Sequence, residues 1–233
     1  MSFHLLSVDA TGEFGSIALV GEHGAIEEVA IHAPDGFAHV LFGEMETLLA
    51  RHGLTFDQLD GFASASGPGS FTGVRVGLTA MKGLAEATGR KVVAISNLRA
   101  LASYGSRALR AVVIDARRGE VYGAVYDAAL QPVRGEVVAP LPVWLASLPG
   151  GDLEFITQGF PLASSEITRG ITPGITAPII EAPRALAGAV GRIALGDFLR
   201  GAALDPAEID ANYVRRSDAE LLWKTPASFR RGP

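Results

Sequence analysis

The sequence predicts an α/β protein of two related lobes, each a layer of strands and helices. Three observations carry this reading. The first 30 residues alternate short apolar runs with glycine-bearing turns; from residue 37 a helical period takes over and alternates with strand-like runs; and a similar order begins again near residue 110.

The opening runs are Phe3 to Val8, Ser16 to Val20 and Ala25 to Ile31, separated by Thr11-Gly12-Glu13-Phe14-Gly15 and Gly21-Glu22-His23-Gly24. Turn residues between short apolar runs predict a three-stranded antiparallel meander. Phe37, Val40, Leu41, Met45, Leu48, Leu49 and His52 then follow a helical period that ends at Gly53, a residue suited to the position just past a helix end. Gly61 to Ser66 reads as a buried strand, Gly67 to Gly73 as a turn, Val74 to Thr88 as a helix and Lys91 to Ile95 as another strand. In the second half, Ala111 to Ile114 ends in Asp115 much as Leu5 to Val8 ends in Asp9, and Gly119 to Tyr126 supplies the next strand. The lobes are expected over 1–104 and 105–233, joined near residues 97–107. Pro149-Gly150-Gly151 and Gly170 to Pro178 read as surface loops, Ala185 to Arg200 as a late helix, and the last 20 residues as a locally basic end.

A chain of 233 residues, 48% hydrophobic and 19% charged, can bury a substantial core. Its lack of cysteine excludes disulfides, thiol nucleophiles and thiolate metal sites, which suits a reducing compartment. The N-terminus lacks the basic flank of a signal peptide, and no apolar run approaches the roughly 20 residues of a membrane-spanning helix, so a cytoplasmic protein is expected. A net charge of −5 argues against strong binding of nucleic acid by the chain alone. Any RNA contact is expected to be shared with a partner.

The most informative segment is Ser66-Gly67-Pro68-Gly69-Ser70-Phe71-Thr72-Gly73. Glycine-rich turns before a helix can cradle phosphate through backbone amides. Here no Lys-Ser/Thr ending marks a P-loop, and Thr72 stands where a dinucleotide fingerprint needs its third glycine. A tight turn with a close-packed helix is the favoured reading. In the helix that follows, Gly73, Gly77, Ala80, Leu84 and Ala87 form a row of small residues; Val74, Leu78, Met81 and Ala85 form a second apolar row; Arg75, Thr79, Lys82, Glu86 and Arg90 are polar. One apolar row covers the sheet, and the small row lets another helix approach, from a partner or from the same chain. Burial of both rows within the monomer stands as an equal reading.

Taken in order, Gly67-Pro68-Gly69-Ser70-Phe71-Thr72-Gly73, Asp115-Ala116-Arg117-Arg118-Gly119-Glu120-Val121-Tyr122 and Pro206 to Arg216 with Asn212-Tyr213-Val214-Arg215 closely resemble the TsaB (YeaZ-like) family of tRNA threonylcarbamoyladenosine biosynthesis proteins. Ser7-Val8-Asp9-Ala10-Thr11 and His39 fit as well, so the resemblance covers nearly the whole chain. It implies the actin-like ATPase fold of two ribonuclease-H-like lobes, the second reduced. It also implies a non-catalytic subunit that pairs with a TsaD-type transferase, joined by a TsaE-type ATPase, with tRNA met only through the complex and a homodimer formed without the partner. The implied interface is Phe37, His39, Val40 and Leu41 with Gly73, Gly77, Ala80 and Leu84. No cofactor of the chain's own is implied; ATP or ADP at the complex interface stays open.

Further candidates have plainer readings. The transferase carries a metal-binding histidine pair at helical spacing, whereas His4, His23, His32, His39 and His52 are never three or four residues apart. Asp9 and Asp115, with Thr11, could form an acidic site for a metal-bound nucleotide across the lobes, but capping of their own turns is the favoured role. Ser70 lacks the Gly-x-Ser-x-Gly setting of a nucleophile and reads as a helix cap. Arg117 and Arg118 read as a solvated turn. A small-molecule kinase, from the fold, and a glycoprotease-like peptidase, from older family labels, are the other function classes; fold analogy alone assigns neither.

Overall fold

The computed structural model describes residues 3–160 and 177–214; positions 170–176 of the expected Gly/Pro-rich loop and the basic end from Arg215 onward lie outside them. The meander is present as β1 (His4–Asp9), β2 (Phe14–Gly21) and β3 (Gly24–His32). After α1 (Leu41–Arg51), β4 (Gly61–Ala65) and β5 (Lys91–Ile95) add in parallel on the other side of β1, joined by the long helix α2 (Phe71–Thr88). The order is β3-β2-β1-β4-β5. The second sheet, from β6 (Leu109–Asp115), β7 (Glu120–Asp127), β8 (Pro132–Pro140), β9 (Leu153–Thr157) and β10 (Ile179–Glu181), repeats it as β8-β7-β6-β9-β10. Both sheets thus run third, second, first, fourth, fifth, with the same parallel and antiparallel pairs. This is the expected fold of two ribonuclease-H-like lobes. The second is the reduced one: the six-residue α4 (Leu141–Ala146) stands where the first lobe has the eleven-residue α1.

Strand alternation sorts the first core. Leu6, Val8, Ile17 and Leu19 face Met45 and Leu48 of α1 and Val74, Leu78 and Met81 of α2, while Leu5, Ala18 and Val20 face a late helix, α5 (Ala187–Leu199). α3 (Asn97–Ala102), in the stretch expected to be a simple joint, contributes Leu98, Leu101 and Ala102 to the second core. The lobes therefore exchange helices: α3 follows the first sheet and packs on the second, and α5 follows the second and packs on the first. A cut at residue 104 separates the sheets but not these helices. Ser16 Oγ accepts from the backbone N–H groups of Leu186 and Ala187, and Glu28 from that of Gly188, so side chains of the first sheet satisfy the start of α5.

The expected helix from Phe37 begins four residues later. Phe37 to Val40 form turns, in which the Val40 and Leu41 N–H groups both donate to the Phe37 carbonyl, and the buried Phe37 ring mimics a helix position in the apolar pattern. No described helix is long and apolar enough to cross a membrane.

Candidate functional site

Two concave surfaces flank the start of α2. The first is an open cleft of 1110 Å³ between the lobes, walled by Asp9 and Thr11, by the Gly69–Gly73 turn and by Asp115 to Arg118. The structure brings Asp9, Thr11 and Asp115 to this one cleft, but it turns their polar atoms onto their own neighbours. Asp9 Oδ1 accepts from the Thr11 N–H at 3.0 Å, the Thr11 hydroxyl at 2.6 Å and Asn97 Nδ2 at 3.4 Å. Asn97, which the sequence reading missed, also donates to Thr11 Oγ1 at 2.7 Å and accepts from the Gly67 N–H at 2.9 Å. It is the buried knot of the site, and Ser96 as the N-cap directly after a strand, with Asn97 opening the helix, is the signal that marks it. Asp115 Oδ1 accepts from the Arg117 N–H at 2.7 Å, closing a hairpin turn in which Arg117, Arg118 and Gly119 all have positive φ.

The glycines of the turn serve close approach. A Cβ on Gly69 would lie 2.6 Å from the Thr11 carbonyl oxygen, and one on Gly73 only 2.0 Å from that of Ala10. The Ser70 N–H donates to the Thr11 carbonyl, and Ser70 Oγ accepts from the Gly73 N–H, as a cap does. Among the described residues no group of three or more His, Asp or Glu is placed to hold a metal ion.

Burial pushes the Asp9 carboxyl above its ordinary value, against the pull of Thr11 and Asn97, and the charge of Glu28 adds to the rise. A carboxyl with a raised folded pKa binds its proton more readily in the folded chain, so its contribution to stability falls as pH rises from about 3.9 through the folded value. Asp9→Asn keeps an acceptor for the three donors and removes the buried charge. We expect it to melt at or above the wild type at pH 7, with the margin shrinking as pH is lowered toward 4. Asp9→Ala, which orphans the donors, should lose roughly 2–3 kcal/mol. Thermal melts across pH check this, and an Asp9→Asn variant that is less stable at pH 7 counts against the turn-capping role.

The second surface is a 490 Å³ groove between α1 and α2. Phe42 of α1 and Phe71 of α2 are 48% and 47% exposed on it, with Ala38, Val76, Thr79 and Ala80 between them. The residues expected at an interface fall in different places. Phe37, Gly73 and Gly77 are buried inside the monomer, because Gly73 abuts Ala10 and Gly77 sits against Ser64, Val8 and Ala10. Leu41 is buried as well but touches the groove floor, as does Ala80. His39 is exposed and Val40 and Leu84 half-buried, and none of these three lines the groove. Gly73 and Gly77 of the small-residue row thus pack on the chain's own first lobe, whereas Ala87 at its far end is exposed. Phe42 and Phe71 were not singled out in the sequence; Phe71, Arg75 and Thr79 repeat at helical spacing and trace the exposed row.

Comparison with known proteins accords with this geometry. A family model described as "TsaD: tRNA N6-adenosine threonylcarbamoyltransferase" matches residues 33–152, just over half the chain. The tRNA threonylcarbamoyladenosine biosynthesis protein TsaB of Haemophilus influenzae is 39% identical over 51% of this chain and 51% of its own length. TsaB of Bacillus subtilis is 31% identical over 66% and 70%. The match therefore spans about half of the first relative and somewhat more of the second. A crystal structure from Pseudomonas aeruginosa, described as an uncharacterized protein with similarity to peptidase YeaZ, superposes with a TM-score of 0.77 at 26% identity, over 91% of this chain and all of that one. With the duplicated sheet order, the Gly67–Gly73 turn and the Asp115–Gly119 turn in place, the chain belongs to the TsaB (YeaZ-like) family.

Proposed function

We propose that this chain is a non-catalytic subunit in the threonylcarbamoylation of tRNA adenosine, and that it acts by docking a TsaD-type transferase in the groove between α1 and α2. The observation that carries the docking is the pair of half-exposed rings, Phe42 and Phe71, flanking an apolar groove. Apolar grooves of this kind are recognition surfaces more than accidents of folding. A supporting role fits the cleft, where Asp9, Thr11 and Asn97 satisfy one another and the Ser70 hydroxyl caps α2 by accepting from the Gly73 N–H. On this reading a TsaE-type ATPase joins the complex, ATP or ADP sits at the subunit interface and not on Asp9, Thr11 or Asp115, and without the transferase the same groove closes a homodimer.

The test is reconstitution. The purified chain, the cognate TsaD-type and TsaE-type subunits, the threonylcarbamoyl adenylate and unmodified tRNA are combined, and modified nucleoside is measured with each protein left out in turn. We expect no product from this chain alone and a loss of product when it is omitted. Transfer by the chain alone, or full activity without it, overturns the proposal. ATP turnover or proteolysis by the isolated chain would favour the kinase or the peptidase class instead.

A further inference from the structure

Among the described residues, Arg75 is the only charged side chain lining the α1/α2 groove. Its guanidinium carbon lies 3.8 Å from the centre of the Phe71 ring, and its Nε donates to the Tyr213 hydroxyl at 3.0 Å. The two rings are 5.9 Å apart, with the Tyr213 ring 6.0 Å from the guanidinium carbon. Tyr213 comes from the far end of the chain, on a segment fixed at several points. Lys82 Nζ donates to the Ile209 carbonyl at 2.9 Å, the Asn212 N–H to the Ser66 carbonyl at 2.8 Å, and Asn212 Nδ2 to Glu136 Oε2 on β8 at 2.5 Å. Arg75 is exposed, and among the described residues no carboxylate pairs with it.

A guanidinium held on two aromatic rings has already given up much of its side-chain freedom, so less is lost when its remaining N–H groups find a partner. Covering the groove with an apolar surface would strip water from those groups. An unpaired buried charge is strongly disfavoured, whereas a carboxylate in a two-pronged contact satisfies it. From Phe71 through Arg75 to Thr79 the exposed row of α2 spans eight helical steps, roughly 12 Å at 1.5 Å per residue, which matches about two turns of a helix laid along it.

We propose that Arg75, posed by Phe71 and Tyr213, is a carboxylate receptor, and that the groove takes an amphipathic partner helix carrying an Asp or Glu opposite it. This rests on the docking reading above and adds the chemistry that selects the partner. The requirement works in both directions: a helix with a matching apolar face but no acidic residue there is rejected, because docking would bury the arginine unpaired. Tyr213 is a positioning residue that couples the second lobe, through Glu136 and Asn212, to the pose of Arg75.

The experiment is calorimetric titration of the full chain with its purified cognate TsaD-type subunit, with thermal melts as a fold control. Arg75→Glu should weaken binding ~100-fold, Arg75→Ala about tenfold and Arg75→Lys about fivefold, since lysine keeps the charge but neither stacks nor bonds in two prongs. Tyr213→Phe should weaken it roughly threefold with no change in melting. A Lys replacement of one Asp or Glu on the partner helix should restore binding to Arg75→Glu and impair binding to the wild type. If the wild type binds and Arg75→Glu binds equally well, the receptor assignment falls while the docking reading stands. If the wild type does not bind at all, both fall.

Discussion

Adding one methyl group at position 73 is expected to cost at least about 3 kcal/mol of folding stability. The Gly73→Ala Cβ would lie 2.0 Å from the Ala10 carbonyl oxygen and 3.1 Å from its carbon, both backbone atoms that no rotamer change can move. The first turn of α2 would have to lift from β1, loosening Val74, Leu78 and Met81 against Leu6 and Val8. The same change elsewhere on the helix should behave differently. At Gly77 the nearest atom is the rotatable Ser64 hydroxyl at 3.2 Å, and the roughly 1 kcal/mol that alanine gains over glycine in a helix offsets the crowding, so the net change stays within about 1 kcal/mol. Gly83 is exposed with open space around it, and Gly83→Ala should stabilise by about 0.5–1 kcal/mol. Urea denaturation of the three variants ranks them, and a Gly73→Ala variant as stable as wild type would show that α2 does not rest on β1 as described.

The second large effect is on association. Phe42→Asp should weaken transferase binding by ~100-fold or more while shifting the melting temperature little, because the ring is half-exposed in the free chain and a carboxylate would face an apolar partner surface. The neighbouring substitution Leu41→Asp should instead unfold the protein, since that side chain is 1% exposed within the first core. Val143→Asp on α4, 61% exposed and on the second lobe, should alter neither property. Titration calorimetry and melting on all three separate groove from core. Wild-type affinity in a folded Phe42→Asp variant would move the interface elsewhere.

Much of the fold was legible in the residues because its elements are marked locally. The meander is written in apolar runs with glycine turns, α2 in a sustained helical period closed by Gly89 in a left-handed cap, and the turn-capping roles of Asp9 and Asp115 in their place at strand ends. Elements without such marks escaped. β8 is an edge strand, largely exposed and interrupted by Gly135, so it lacks alternation; β9 is five buried residues in which Glu154, accepting from the Ser106 and Arg107 N–H groups, breaks the apolar signal. α3 is only six residues long, too short for a periodicity to show.

By itself the sequence determined the two-lobed α/β order, the close-packed glycine turn and the family, since these depend on residues near one another in the chain. Whether the small-residue row of α2 is buried beside the Val74, Leu78 and Met81 row within the chain or left for a partner was decided only by the tertiary structure. Periodicity shows that a helix has two sticky faces, but a glycine row serves equally where two backbones meet within one chain or between two. The Ala10 carbonyl opposite Gly73 settles that choice, and with Gly73 and Gly77 turned inward the row of Phe71, Arg75 and Thr79 is left facing out. Tyr213 reaches Arg75 by the same logic, through a distant segment whose anchors at Ser66 and Glu136 lie on different lobes and exist only once both have folded.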